Sequence, residues 1–310
     1  MDIRSIALAL LVVVIWGLNF SVIKFGLDEL PPLMFSGLRF LIVAVPAVLI
    51  VPFPKTSVWN VLGVGLFLGV MKFGLLFIAM QDDASAGIAS LLLQSQVIFT
   101  ILLSVLWLKE SISRSQIFGI AIAVTGFSLF FITSNGNATL LGVTMIILAG
   151  LFWAVSNLIM KQMSSVNLLH FMVWVSVVPP LPLFALSYLF ETQTPIALLL
   201  ETTEKTWLSV AYVGYISTLL AFAIWGWLLK NHQAAAVTPF ALLIPLVGML
   251  GSSLLLDEQF SVTESVGASL ILVGLLISVL GARLYGAIRQ KKQPNRSASS
   301  HSAGHSREST

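Results

Sequence analysis

The stretch from Gly87 to Gly126 occurs twice in this 310-residue chain, and a duplication restricts the possible folds more than any other feature. Gly87 opens the apolar run GIASLLLQSQVIFTILLSVLWL, which ends at Lys109-Glu110 and is followed by Gly119 and Gly126. Moving on by 148 positions, without a gap, AAVTPFALLIPLVGMLGSSLLL leads to Asp257-Glu258 and then to Gly267 and Gly274. A second echo lies upstream: WGLNFSVIK (Trp16–Lys24) and WAVSNLIMK (Trp153–Lys161) keep their spacing at an offset of 137. The offsets differ by 11, so the second copy carries an insertion between these landmarks. The longer loop 191–206 is the expected place for it, with room for an interfacial helix. The chain therefore reads as two repeats, 1–133 and 134–285, and a tail, 286–310.

The repeats are made for lipid. Hydrophobic residues make up 57% of the chain and charged ones only 9%, against roughly 25% charged in a soluble domain. A span needs about 20 mostly apolar residues. Ten such runs are present, near 5–25, 33–52, 59–79, 87–108, 115–133, 140–160, 170–190, 207–229, 235–256 and 262–285. The first is too long for a signal-peptide core and no A-x-A-like site follows it, so no cleavable signal is expected. The tail is basic, then Ser-rich, and is expected to be disordered. With no cysteine, disulfides, thiolate nucleophiles and Cys-based metal sites are excluded. The net charge of +3 does not point to nucleic acid, because the basic residues sit beside apolar runs or in the tail.

Orientation follows from Lys and Arg in the short loops. With the N-terminus inside, Arg4, Lys55, Lys109, Arg114, Lys161, Lys230 and six basic residues of the last stretch are cytoplasmic, while Lys24 and Lys205 lie outside. Both termini are then cytoplasmic. Five spans per repeat is an odd number, so the second copy enters from the opposite side. Inverted repeats are a signature of secondary transporters, whose halves rock about a site near the midplane.

The stretches WGLNFSVIK (16–24), PPLMFSGLRF (31–40), SLLLQSQVIFTILL (90–103) and LLIPLVGMLGSSLLLDEQ (242–259) resemble the EamA family of the drug/metabolite transporter superfamily. The resemblance covers residues 1–285. It implies an all-α integral membrane protein of ten helices in two inverted five-helix halves, with helices 1, 3, 4, 6, 8 and 9 framing a central cavity. It also implies an inner-membrane exporter of small amino-acid-like metabolites, of the cysteine and O-acetylserine type. One departure is informative. Related small multidrug exporters carry a membrane-embedded Glu in the first helix, whereas here the polar residue of that span is Asn19. All 13 Asp and Glu lie at span ends, in loops or at the termini, which argues against a carboxylate relay and against cationic drugs.

Two charges, Arg39 and Lys72, fall inside spans, where an unpaired lipid-facing charge is costly. Either they meet a substrate carboxylate, or Arg39 snorkels or pairs with Asp28 or Glu29, and Lys72 with Asp82 or Asp83; for Arg39 the surface pairing is the expectation. Asn19, Gln94, Gln96 and Asn157 are intramembrane amides, and serve either as interhelical bonds or in recognition of a zwitterion. Gln94 and Gln96 cannot share a helical face, and Gln94 is the candidate. Trp16, Trp153 and Trp225 are candidate cavity walls, with Trp227 beside them. Glu110 and Glu258 are candidate gating or proton sites, although acids at helix ends more commonly act as caps. Lys24 and Lys161 suit helix C-termini, and Gly119, Gly126, Gly267 and Gly274 suit close helix contacts. Pro239 and Pro245 predict a bend in the ninth span; their counterparts, Leu91 and Val97, predict none in the fourth.

No G-x-x-x-x-G-K-[ST] loop, H-E-x-x-H pair or G-x-S-x-G elbow occurs. The expected function is thus not enzymatic: a carrier for small metabolites in the lipid bilayer, with no cofactor, metal or nucleic-acid partner. Because one chain supplies both halves, a monomer suffices. The alternatives are export of aromatic or drug-like compounds, and a sensor or scaffold of the same fold that transports nothing.

Overall fold

The computed structural model describes residues 1–132, 136–163 and 166–291. Among these, nine helical runs are long and apolar enough to cross a membrane: α1 (Ile3–Leu27), α3 (Val58–Asp82), α4 (Ala86–Leu108), α5 (Arg114–Ile132), α6 (Leu140–Lys161), α7 (Leu168–Phe190), α8 (Glu204–Asn231), α9 (Thr238–Leu255) and the Val262–Gly281 part of α10 (Val262–Lys291). A shorter apolar helix, α2 (Pro32–Val48), lies between the first two. No strand occurs among the described residues. The outcome follows from the solvent, since lipid offers backbone groups no partners and each run must satisfy its own. Polar side chains mark the starts: Asp2, Ser57, Ser85, Thr139 and Asn167 each accept a backbone N–H of the first turn.

The packing repeats as the sequence does. α1 lies against α8 and α9, and α6 correspondingly lies against α3 and α4; α4 meets α9, and α5 meets α10. Lys109 and Asp257, 148 apart, both adopt φ 54° where α4 and α9 end. The insertion falls in the expected loop, which contains a short helix, Pro195–Glu201, that buries no residue. The last helix runs to Lys291, so the first residues assigned to the tail are helical. Residues 292–310 lie outside the described ones.

The four repeat glycines sit where α5 and α10 touch. A Cβ on Gly126 would come 2.7 Å from the Gly267 carbonyl oxygen and 2.9 Å from the Ile271 nitrogen, both backbone atoms that cannot swing aside. Gly126→Ala is therefore expected to destabilise by about 1–3 kcal/mol through overpacking. Thermal unfolding in detergent checks this, and an unchanged midpoint would show that the two helices separate freely.

The helices that matter for function are interrupted. The bend expected only in α9 is present in both repeats, which corrects the one-sided reading. In α9 the backbone tightens to a 3-10 turn over Thr238–Leu243. In α4 it breaks between Leu92 and Ser95, with i→i+3 bonds from the Gln94, Gln96 and Val97 amides. Leu93 corresponds to Ala241, so both breaks fall at one repeat position, and Gln94 Nε2 donates to the Ala241 carbonyl at 3.4 Å. α3 and α8 are interrupted differently. Each widens to π-type turns, over Gly65–Lys72 and Tyr212–Leu220, again at matched positions. Gly65 and Gly69 let α3 approach Val178 and Pro179, at the break within α7.

Candidate functional site

The π turns position the buried charges. Lys72 is the last residue of the wide segment in α3, and Thr218 lies within the one in α8. Thr218 Oγ1 donates to the Val213 carbonyl five residues back and accepts from Arg39 Nη2 at 3.0 Å. Arg39 is the eighth residue of α2, which places its Cα about 10 Å along that helix. Arg39 and Lys72 are each only 4% exposed.

Both cations use the same ring. The Arg39 guanidinium carbon lies 3.9 Å from the centre of Phe73, and the Lys72 ammonium lies 3.2 Å from it. Since 3.9 and 3.2 sum to 7.1, the two charge centres are no more than 7.1 Å apart. Phe40 is 4.6 Å from the guanidinium and Trp153 is 4.8 Å from the ammonium. Aromatic faces attract cations by roughly 0.5–2 kcal/mol. Two unit charges at about 7 Å repel by about 2 kcal/mol at an effective dielectric constant near 20. The rings offset the repulsion and leave the desolvation cost standing.

Among the described residues no carboxylate offsets that cost. The ion pairs among the described residues are Lys161–Glu110 at 2.6 Å and Lys205–Asp28 at 3.7 Å, and neither buried cation belongs to one. Arg39 Nε and Nη1 are buried without a hydrogen-bond partner. No hydrogen bond joins the Lys72 ammonium to another described residue. The expected surface pairings therefore do not form. Asp28 is with Lys205, Glu29 accepts from Thr203, and Asp83 accepts from Thr139. The physical reason is direction: Arg39 projects toward Thr218 of α8 and the Phe73 ring of α3.

The other candidates divide. Asn19 is 7% exposed and its Oδ1 is buried without a partner. Trp16 donates from Nε1 to the Ser217 carbonyl at 2.9 Å and packs on Trp225 and Phe222 at 5.3 and 5.2 Å. Trp227 is half-exposed, edge-on to His232. Gln96 and Asn157 act as glue between α4 and α6: Asn157 Nδ2 donates to Gln96 Oε1 at 2.8 Å and to Thr100 at 3.2 Å. Asn157 is thus engaged away from the cation pair. Phe73 and Thr218 escaped the sequence reading. A Phe directly after an intramembrane Lys is one apolar residue among many, and Thr218 gains its role only through the fold.

The matched acids Glu110 and Glu258 differ. Glu258 accepts from the backbone amides of Ala86 and Gly87, at 2.7 and 3.0 Å, and so caps α4. Glu110 instead pairs with Lys161. Lys24, the counterpart of Lys161, donates to the carbonyls of Met80 and Gln81, both at 2.6 Å. Lys24 and Glu258 line an open cavity of about 400 Å³ together with Asp82, Asp83 and Asn137.

Helices that break at matched depth in both halves, around polar groups the protein leaves unpaired, define a membrane carrier rather than a passive bundle. The chain belongs to the EamA-like transporter family, whose model matches residues 3–132 and again 140–280. Among curated proteins it is 38% identical over 289 residues to an Escherichia coli protein named probable amino-acid metabolite efflux pump, covering 91% of this chain and 97% of that one. It is 40% identical over 284 residues to a Salmonella typhimurium protein of the same name, covering 89% and 95%. An uncharacterized transporter of Bacillus subtilis is 27% identical, with 86% and 94% covered. A solved crystal structure, 15% identical, superposes with a TM-score of 0.62 over 92% of this chain and 99% of the other, a likeness of fold alone.

Proposed function

We propose that this chain is an inner-membrane carrier that exports small amino-acid metabolites by alternating access, with both termini in the cytoplasm. The observation that carries the reading is the pair Arg39 and Lys72, buried together with no carboxylate of the described residues paired to them. Buried charges are normally paired, and here the missing partner is the carboxylate of the substrate. Guanidinium and ammonium donors suit it, and the same pair repels cationic drugs. The family and the printed names of the Escherichia coli and Salmonella relatives support amino-acid metabolites as the cargo.

The asymmetry between equivalent residues supports alternation. Lys161–Glu110 latches the mouth assigned to the cytoplasm, while Lys24 and Glu258, beside the cavity at the other mouth, form no ion pair with each other and hold backbone groups instead. In the opposite state the partners exchange, so that Glu258 meets Lys24 and Glu110 is released. The test is efflux of labelled cysteine or O-acetylserine from liposomes containing the purified protein, with and without an imposed proton gradient. Saturable efflux is expected. Its absence from folded protein, across a panel of amino-acid metabolites, would reject the carrier reading.

A further inference from the structure

The insertion in the second repeat places an apolar run inside a polar loop. Between ETQT and TTEK stands PIALLLE, which forms the short helix Pro195–Glu201. Seven residues make a marginal helix in water, so its surroundings must hold it. Leu198 and Leu199 pack against the largest hydrophobic cluster of the protein. Ile196 and Leu200, four apart and so on one helical face, are 74% and 82% exposed. The ends of the segment are fastened to the first repeat. Glu191 accepts from the Leu33 and Met34 amides, at 2.7 and 3.2 Å, and so caps α2. Thr203 donates from its amide and its hydroxyl to Glu29, at 2.9 and 2.7 Å. Segment 191–203 is thus a clasp over the corner between α1 and α2, with an apolar outer edge.

That edge continues a surface that belongs to lipid. Phe190, the last residue of α7, is 78% exposed, and Leu208, near the start of α8, is 70% exposed. Apolar side chains exposed on spanning helices are solvated by acyl chains, and Ile196 and Leu200 carry the same surface across the loop that joins these two helix ends. Trp207, 38% exposed beside Leu208, is of the type that favours the boundary between lipid and water. We infer that the face of Ile196 and Leu200 is seated in the bilayer leaflet at this end of the helices. The short helix is then an interfacial anchor, and its partner is a lipid surface. Through Glu191 the anchor fixes the first turn of α2, the helix that bears Arg39, at the membrane boundary.

The chain has no cysteine, so single cysteines can be introduced and labelled without removing a native thiol. Ile196→Cys and Leu200→Cys of the full-length protein, each carrying a nitroxide, are measured in liposomes. Leu181→Cys, 80% exposed within α7, serves as the lipid reference, and Gln193→Cys, exposed in the polar part of the loop, as the water reference. Collisions are counted with oxygen, which concentrates in lipid, and with a neutral nickel chelate, which stays in water. The oxygen-to-nickel ratio at 196 and 200 is expected to exceed that at 193 by at least about threefold, toward the value at 181. A ratio equal to that at 193 would put the face in water and overturn the inference. Protection from both reagents would show that protein, such as a second copy of the chain, covers it, and would overturn the inference as well. The two positions report independently, so one misfolded variant leaves the test intact. The result also stands apart from the transport reading, because a chain that carried nothing would still seat this helix.

Discussion

Replacing Arg39 by leucine is expected to reduce transport of carboxylate substrates by about a hundredfold or more while leaving the protein at least as stable. The two effects have one cause. A buried, hydrogen-bonded charge pair with the ligand is worth about 2–5 kcal/mol when one partner is removed, and each 1.4 kcal/mol is about a factor of ten. In the unliganded protein, however, the guanidinium is a burden. It makes one hydrogen bond, to Thr218, and leaves Nε and Nη1 without partners in a 4% exposed position. Placing an arginine at mid-membrane costs roughly 2.5–3.5 kcal/mol on insertion scales. Leucine removes that cost and keeps an apolar side chain against Phe40 and Phe73. Transport assays and thermal unfolding on the same preparation check both halves. A variant that loses activity and stability together would mark Arg39 as a structural residue, contrary to the account.

The second large effect separates two residues that the sequence presents as equivalents. Glu258→Ala is expected to lower stability by about 2–4 kcal/mol, whereas Glu110→Ala costs no more than about 1 kcal/mol. Glu258 holds the backbone amides of Ala86 and Gly87, and each hydrogen bond to a charged group contributes roughly 1.5–3 kcal/mol, with a further penalty for amides left bare. Glu110 forms one ion pair with Lys161, both side chains 45% exposed, and exposed pairs are worth about 0–1 kcal/mol. Unfolding of the two alanine variants measures the difference. Equal losses would mean that both acids cap helices to the same extent.

How much of this was legible beforehand depended on what carried the information. The membrane spans and the duplication were open to reading because hydropathy and spacing are local. The offset of 148 returns in the structure as the shared φ of 54° at Lys109 and Asp257. The insertion went where polar loop residues allowed it, before Glu204. The break in α4 was not legible, because no proline or glycine stands at Leu93–Gln94. It is set by packing against α9, where Gln94 reaches Ala241. The π turns are likewise tertiary: Gly65 and Gly69 permit them, but Val178 and Pro179 fill the space.

For the site, the charges could be listed but not aimed. A sequence places Arg39 at a depth and leaves its azimuth free, so surface pairing with Asp28 or Glu29 looked as natural as burial. The azimuth came from α8, whose widened turn presents Thr218. The amides divided on the same principle. Asn157 found Gln96 across one helix interface, and Asn19 Oδ1 found nothing.

The central claim is that Arg39 and Lys72 await a carboxylate, and counterflow in reconstituted liposomes tests it most directly. Labelled O-acetylserine uptake is measured against two unlabelled competitors, the free acid and its methyl ester. The account predicts that the acid competes and that the ester, which differs only in having lost the negative charge, does so at least about tenfold less well. Competition of equal strength by the ester would show that the buried cations do not read a carboxylate.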